Sequence, residues 1–153
     1  MKNDVLVLGL GNPLMSDDGI GGFVLEKLAA RPEQFPDIDF LDAGTAGMAV
    51  LHHIAGRKKV VLIDCAIMGT EPGTIKRFTP EQVDSVKQLA HFSMHEMDML
   101  KVIEISKSLG ECPEQIVFFG IEPESTAQGN EVTPTLKTHT DHFLEVIVEE
   151  LTG

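Results

Sequence analysis

Apolar and polar positions alternate between two periods along this chain. Residues 4–9 (DVLVLG), 59–63 (KVVLI) and 115–119 (QIVFF) are short, continuous apolar runs, the pattern of strands buried on both faces. Between them the apolar residues recur at helical spacing. Ile20, Phe23, Val24 and Leu28 predict a helix over residues 19–30, closed by Arg31-Pro32. Residues 38–41 read as a second strand ending at Asp42-Ala43-Gly44, followed by a short helix through His52 that Gly56 stops. A shorter strand, 74–78, follows the turn Gly69-Thr70-Glu71-Pro72-Gly73, and 80–87 reads as a helical turn before an irregular stretch at 90–92. Residues 94–109 form a long helix ended by Gly110. Thr133-Pro134 supplies a helix cap and a first-turn proline, and the last helix carries Leu136, Phe143, Leu144, Ile147, Val148 and Leu151 on its apolar face.

Strands that alternate with helices, joined by connections long enough to cross over, predict an α/β fold. The expectation is a single domain over residues 1–153: a three-layer sandwich whose twisted, mostly parallel sheet of about five strands has helices on both faces. Such sheets bind ligands outside the carboxyl ends of their strands, where the strand order reverses. That rule makes candidates of residues 9–18, Asp42, Asp64 and residues 120–122.

Composition narrows the picture. No stretch approaches the length of a membrane span. The polar start runs directly into a strand, and Cys65 and Cys112 have neither CxxC spacing nor a disulfide framework, so a cytoplasmic protein is expected. Twelve Lys and Arg against 24 Asp and Glu give a net charge of -12, which disfavours nucleic acid and anionic membranes and suits a cation or a basic peptide.

The candidate chemistry begins in VLVLGLGNPLMSDDGIGG, residues 5–22. Gly9-Leu10-Gly11 opens like a dinucleotide-binding turn, but the position of the third glycine is Leu14, and Asp17 and Asp18 stand where a phosphate would need positive charge. These acids either cap the helix or, taken together at a ligand-binding edge, serve a cation. Asp64 ends a buried strand and either caps the next turn or faces the crevice; Cys65 should point to the opposite face and reads as a small hydrophobe. In FSMHEMDML, residues 92–100, Ser93 and Glu96 form a capping box that sets His95 in the first helical turn, where the dipole favours a neutral imidazole. Asp98 is one turn on, His91 is a reserve, and His139 and His142 read as surface residues although their spacing would also suit a metal. Asp18, Asp64 and His95 make an oxygen–nitrogen ligand set with open positions, suited to zinc, nickel, manganese or ferrous iron alike.

The motif G-x-G-N-x-L-x-x-D-D-G-x-G, Gly9 to Gly21, resembles the opening motif of the hydrogenase maturation endopeptidases. Asp42-Ala43-Gly44-Thr45-Ala46-Gly47, the strand ending at Asp64, Ser93-Met94-His95 and Gly120-Ile121-Glu122-Pro123 match in order, so the resemblance covers nearly the whole chain. It implies a protease that removes the C-terminal extension of the nickel–iron hydrogenase large-subunit precursor after nickel insertion. It places the metal-binding trio on Asp18, Asp64 and His95, with Asp42 as a further acidic position that is catalytic or orients the loop after it. The nickel would be the substrate's own; no tightly held metal and no nucleotide are expected, and a monomer is. A nickel-sensing checkpoint module without peptidase activity and a nucleotide-binding domain are the alternatives from other classes.

Overall fold

A computed structural model of the chain describes residues 2–45, 47–82 and 94–153, with backbone alone for 94–98. Its five strands are β1 (Val5–Leu10), β2 (Ile38–Gly44), β3 (Lys59–Cys65), β4 (Ile75–Phe78) and β5 (Gln115–Ile121). They lie in the order β2-β1-β3-β5-β4. The first four strands in that row are parallel, and only the short edge strand β4 runs antiparallel to β5. The expected α/β sandwich is therefore observed. The chain leaves β1 for β2 on one side and returns to β3 on the other, so the strand order reverses between β1 and β3 and opens a crevice at their carboxyl ends.

Period-two alternation divides the core into two layers. Val7, Val61, Ile63, Cys65, Val117 and Phe119 point to one face and meet α1 (Ile20–Ala29), α4 (Pro134–Thr138) and α5 (Thr140–Thr152). Leu6, Leu8, Val60, Leu62, Ile116 and Phe118 point to the other and meet α2 (Val50–Ile54) and α3 (Met94–Ser108). Burying each large apolar side chain contributes about 1.5–3 kcal/mol against the entropy of ordering it. The sheet is consequently covered on both sides, and the central strands need no polar alternation.

Two details depart from expectation. The final helix is two helices, broken at His139. The hydroxyls of Thr138 and Thr140 donate to the carbonyls of Thr135 and Lys137 at 2.7 and 2.8 Å, and His139 Nδ1 lies 2.8 Å from the Thr135 carbonyl, so side chains compete with the helical ladder. His139 then stacks on Phe143 instead of facing solvent as a possible metal ligand. Thr133 does stand at the start of α4, but its side chain makes no cap; it is engaged elsewhere. Of the helical turn expected over 80–87, residues 80–82 are helical, and 83–87, like the irregular stretch at 90–92, lie outside the described residues.

Three ion pairs at two acids, Asp39 and Glu150, join segments remote in the chain. Arg57 pairs with Asp39, which Asn3 also contacts. Lys59 and Arg77 both reach the Glu150 carboxylate, at 2.6 and 2.5 Å. The Arg57 hydrogen bond, helped by the Asn3 amide, holds the Asp39 carboxyl below its usual range. Burial pushes Glu150 up, but its bonds to Arg77 and Lys59 more than reverse this, leaving it lowered. A folded-state pKa below the unfolded one contributes stability that is present above the unfolded pKa and lost as pH falls through the folded one. Thermal melts should therefore be flat near neutrality and drop steeply below about pH 4. Replacing Glu150 by Gln should flatten part of that acid limb.

Candidate active site

The crevice between β1 and β3 is built by a chain that turns sharply on glycine. Gly11 has φ 120°, and a Cβ there would stand 1.8 Å from the Asp18 carbonyl oxygen. A Cβ on Gly21 would meet the carbonyl oxygens of Ile63 and Leu10 at 2.3 and 2.4 Å. The absence of side chains at these two points lets the β1–α1 turn lie directly on the end of β3. The 3-10 turn Ser16–Gly19, which carries Asp18, contacts β3 there.

The neighbouring acids Asp17 and Asp18 have different work. Asp17 is 0% exposed and turns inward. Its carboxylate accepts hydrogen bonds from the amides of Glu124, Ser125 and Thr133, at 2.9, 3.1 and 2.7 Å, and from the Thr133 hydroxyl at 2.8 Å. It is a latch between the β1 turn and the loop after β5, and it explains why Thr133 does not cap its own helix. Ser16, with φ 49°, is held in the same latch by its amide to the Gly129 carbonyl and its hydroxyl to the Ala127 carbonyl. Asp18 is half-buried, and its Oδ2 accepts the Asn12 amide at 2.8 Å. That amide is one a bound phosphate would need; the carboxylate already occupies the anion position of the turn.

Asp64 is 1% exposed at the carboxyl end of β3, and its Oδ1 accepts the Cys65 amide at 2.8 Å. Alternation places it on the Leu62 face, the side covered by α2 and α3, while Cys65 joins the opposite core as expected. The backbone of His95 lies in the first turn of α3, on that same side of the sheet. The side chains of His95 and Asp98, together with His91 and the Ser93 half of the capping box, lie outside the described residues.

Asp42 is on the other face. The neighbouring β2 residues Phe40 and Leu41 pack into the α1 and α2 layers respectively, and Oδ2 of Asp42 is 3.0 Å from where a Gly22 side chain would begin. It lines a cavity of ≈ 340 Å³ with Gly11, Ser16, Gly22, Phe23 and Lys137. Its Oδ1 accepts the Gly44 amide at 3.0 Å, a turn that starts the loop after β2. The fold thus sets Asp18 and Asp64 at one crevice and Asp42 across the sheet from Asp64.

One structural acid had no readable partner in sequence. Glu122, buried at the end of β5, accepts the amides of Met68 and Thr70 at 2.7 and 3.0 Å and the Thr70 hydroxyl at 2.9 Å. It fixes the loop after β3 from a distance of more than fifty residues, as Asp17 fixes the loop after β5.

The fold and the site define the class: a doubly wound α/β domain with acids at its strand switch and a glycine turn whose Asn12 amide is taken by the Asp18 carboxylate. Residues 23–150 match the family model described as Hydrogenase maturation protease, and the chain belongs to that family. It is 32% identical over 149 residues to the hydrogenase 2 maturation protease of Escherichia coli, covering 96% of this chain and 90% of that one. A HoxM hydrogenase expression/formation protein from Cupriavidus necator is 29% identical over 120 residues, and the chain spans 59% of its length. The solved structure of the hydrogenase maturating endopeptidase HybD from E. coli superposes with a TM-score of 0.85 at 30% identity, covering 99% of this chain and 92% of that one. The [NiFe] hydrogenase maturation protease HybD from Thermococcus kodakarensis superposes at 0.81 with 26% identity. Among the described residues, no helix is long and apolar enough to cross a membrane.

Proposed function

We propose that this protein is an endopeptidase that removes the C-terminal extension from the precursor of a nickel–iron hydrogenase large subunit once nickel has been inserted. In this reading Asp18, Asp64 and His95 touch the nickel that the precursor carries, and the protease holds no metal of its own at rest. It acts as a cytoplasmic monomer and needs no nucleotide. The observation that supports the reading is buried Asp64 at the carboxyl end of β3, with the 3-10 turn that carries Asp18 in contact with that strand, at the switch between β1 and β3.

The chemistry follows from the donor set. Two carboxylates and an imidazole, without a thiolate, bind a divalent ion through few ligands and let it leave with the product. Substrate-borne nickel beside the scissile bond polarises its carbonyl. Water attacks the carbonyl carbon, a carboxylate of the crevice takes the water proton, and that proton passes to the leaving amine as the C–N bond breaks. The products are a new C-terminal carboxylate on the large subunit and a free amine on the released peptide. Asp42, across the sheet, contributes by shaping the loop that starts at Gly44.

The test is the intact mass of a purified large-subunit precursor after incubation with the protein, with and without nickel in the precursor. A discrete C-terminal loss is expected only with nickel, and none with the Asp18→Asn variant. Binding at unchanged mass with a cognate, nickel-loaded precursor would instead support the checkpoint reading.

A further inference from the structure

Three loops leave the carboxyl edge of the adjacent strands β2, β1 and β3, and together they frame the crevice. Residues 10–16, 43–51 and 65–70 of these loops and their flanks contain no Asp, Glu, Lys or Arg, in a chain that is 24% charged. They do carry apolar side chains held out in solvent: Leu14 is 64% exposed, Met15 37%, Met48 54% and Ile67 49%. These are four of the six large apolar side chains exposed among the described residues; the other two, Ile105 and Leu109, belong to α3 and the turn after it.

The loops are fixed from beneath. Asp17 and Ser16 latch the Leu14–Met15 turn to the loop after β5, where the Gly129 amide also donates to the Leu14 carbonyl at 2.9 Å. Glu122 fixes the backbone beside Ile67 through Met68 and Thr70. The Gly11 amide donates to the Gly44 carbonyl at 2.9 Å and ties the β1 loop to the β2 loop. Exposed apolar groups on a held backbone are costly in an isolated chain and advantageous in a complex, because their ordering is already complete before binding. Depletion of charge with enrichment in methionine is the signature of an interface core, and methionine adapts to the surface it meets.

We propose that this rim, centred on Leu14, Met15, Met48 and Ile67, is the docking surface for the folded body of the protein substrate, whose contacting face is apolar and uncharged around the segment to be cut. The inference rests on the proposed endopeptidase reading for the identity of that substrate, the large-subunit precursor. A protein cut in the crevice must lie against the three loops around it, so the rim and the site are continuous. The crevice acids would then be closed off from water by apolar contacts, which strengthens their interaction with a cation.

The experiment pairs two measurements on the full chain carrying Leu14→Glu, Met48→Glu or, as a control away from the rim, Ile105→Glu. Binding to the unprocessed, nickel-loaded large-subunit precursor is followed by calorimetry, and its cleavage by intact mass as a function of precursor concentration. Melting curves confirm that each variant is folded. Both rim variants should raise Kd and KM about tenfold or more, with kcat at saturation unchanged, because a carboxylate would be desolvated in the interface; Ile105→Glu should match the parent. If the parent binds without cleaving and the rim variants lose binding, the peptidase reading fails and the docking surface stands. Rim variants that bind like the parent, or a parent that does not bind, overturn the proposal. So does a parent that self-associates at micromolar concentration and becomes monomeric in the rim variants, since the rim would then be an interface between copies of this chain.

Discussion

Replacing Asp17 by alanine is expected to destabilise the fold by about 2–4 kcal/mol. For a chain of this size that lowers the melting temperature by roughly 10 °C. The carboxylate is fully buried and accepts four hydrogen bonds that converge on two oxygens from residues 124, 125 and 133. Alanine leaves three amides and a hydroxyl facing an emptied space, and bonds to a charged acceptor are the stronger kind. An asparagine side chain would retain one acceptor but present an NH2 group to donors, so Asp17→Asn should also destabilise, by less. Differential scanning calorimetry beside Asp18→Asn separates the two neighbours: the Asp17 variants melt early, the Asp18 variant close to the parent. An Asp17→Ala protein melting within a degree or two of the parent would mean that the latch does not hold the fold.

Asp64→Asn is expected to do the reverse, sparing the fold and abolishing processing. Asparagine keeps a carbonyl oxygen where Oδ1 accepts the Cys65 amide, so the end of β3 retains its local bond. It loses the negative charge that a cation needs and the capacity to take a proton from water. Loss of a positioned acid–base group costs about 10²–10⁴ in rate. The melting temperature should stay within a few degrees of the parent's, because the amide has the same shape and the bond at the end of β3 is kept. Single-turnover cleavage of nickel-loaded precursor, followed by mass, measures the first effect and a thermal melt the second. A variant that cleaves at the parent rate would remove Asp64 from the chemistry, leaving Asp18 and His95 to be tested in its place.

The pair of variants illustrates why adjacent residues in one motif need the fold to be told apart. In sequence, Asp17 and Asp18 are equivalent acids after a glycine turn, and both read as helix caps or cation ligands. Ser16, in the left-handed region, turns the chain just before them, and only the tertiary structure sets the 122–133 loop against the Asp17 carboxylate while the Asp18 carboxylate folds back on the Asn12 amide. The positions of Asp64 and Cys65 were legible earlier, because a strand alternates its side chains and the buried run before them defines the two faces. Asp42 was legible as a strand end but not as a residue on the α1 face, since a strand's orientation relative to its neighbours depends on partners far away in the chain.

By itself the sequence determined the elements, the α/β class, the mostly parallel sheet and the acids at its strand ends. Those properties follow from short-range periodicity and from the limited ways that alternating strands and helices can pack. The tertiary structure decided the strand order β2-β1-β3-β5-β4, the break of the last helix at His139, the inward roles of Asp17 and Glu122, and the exposed apolar rim around the crevice. Each depends on contacts between segments remote in the chain, such as the 116 residues that separate Asp17 from Thr133. No local pattern encodes such a pairing: a carboxylate's amide partners are main-chain groups, and every residue but proline offers the same one.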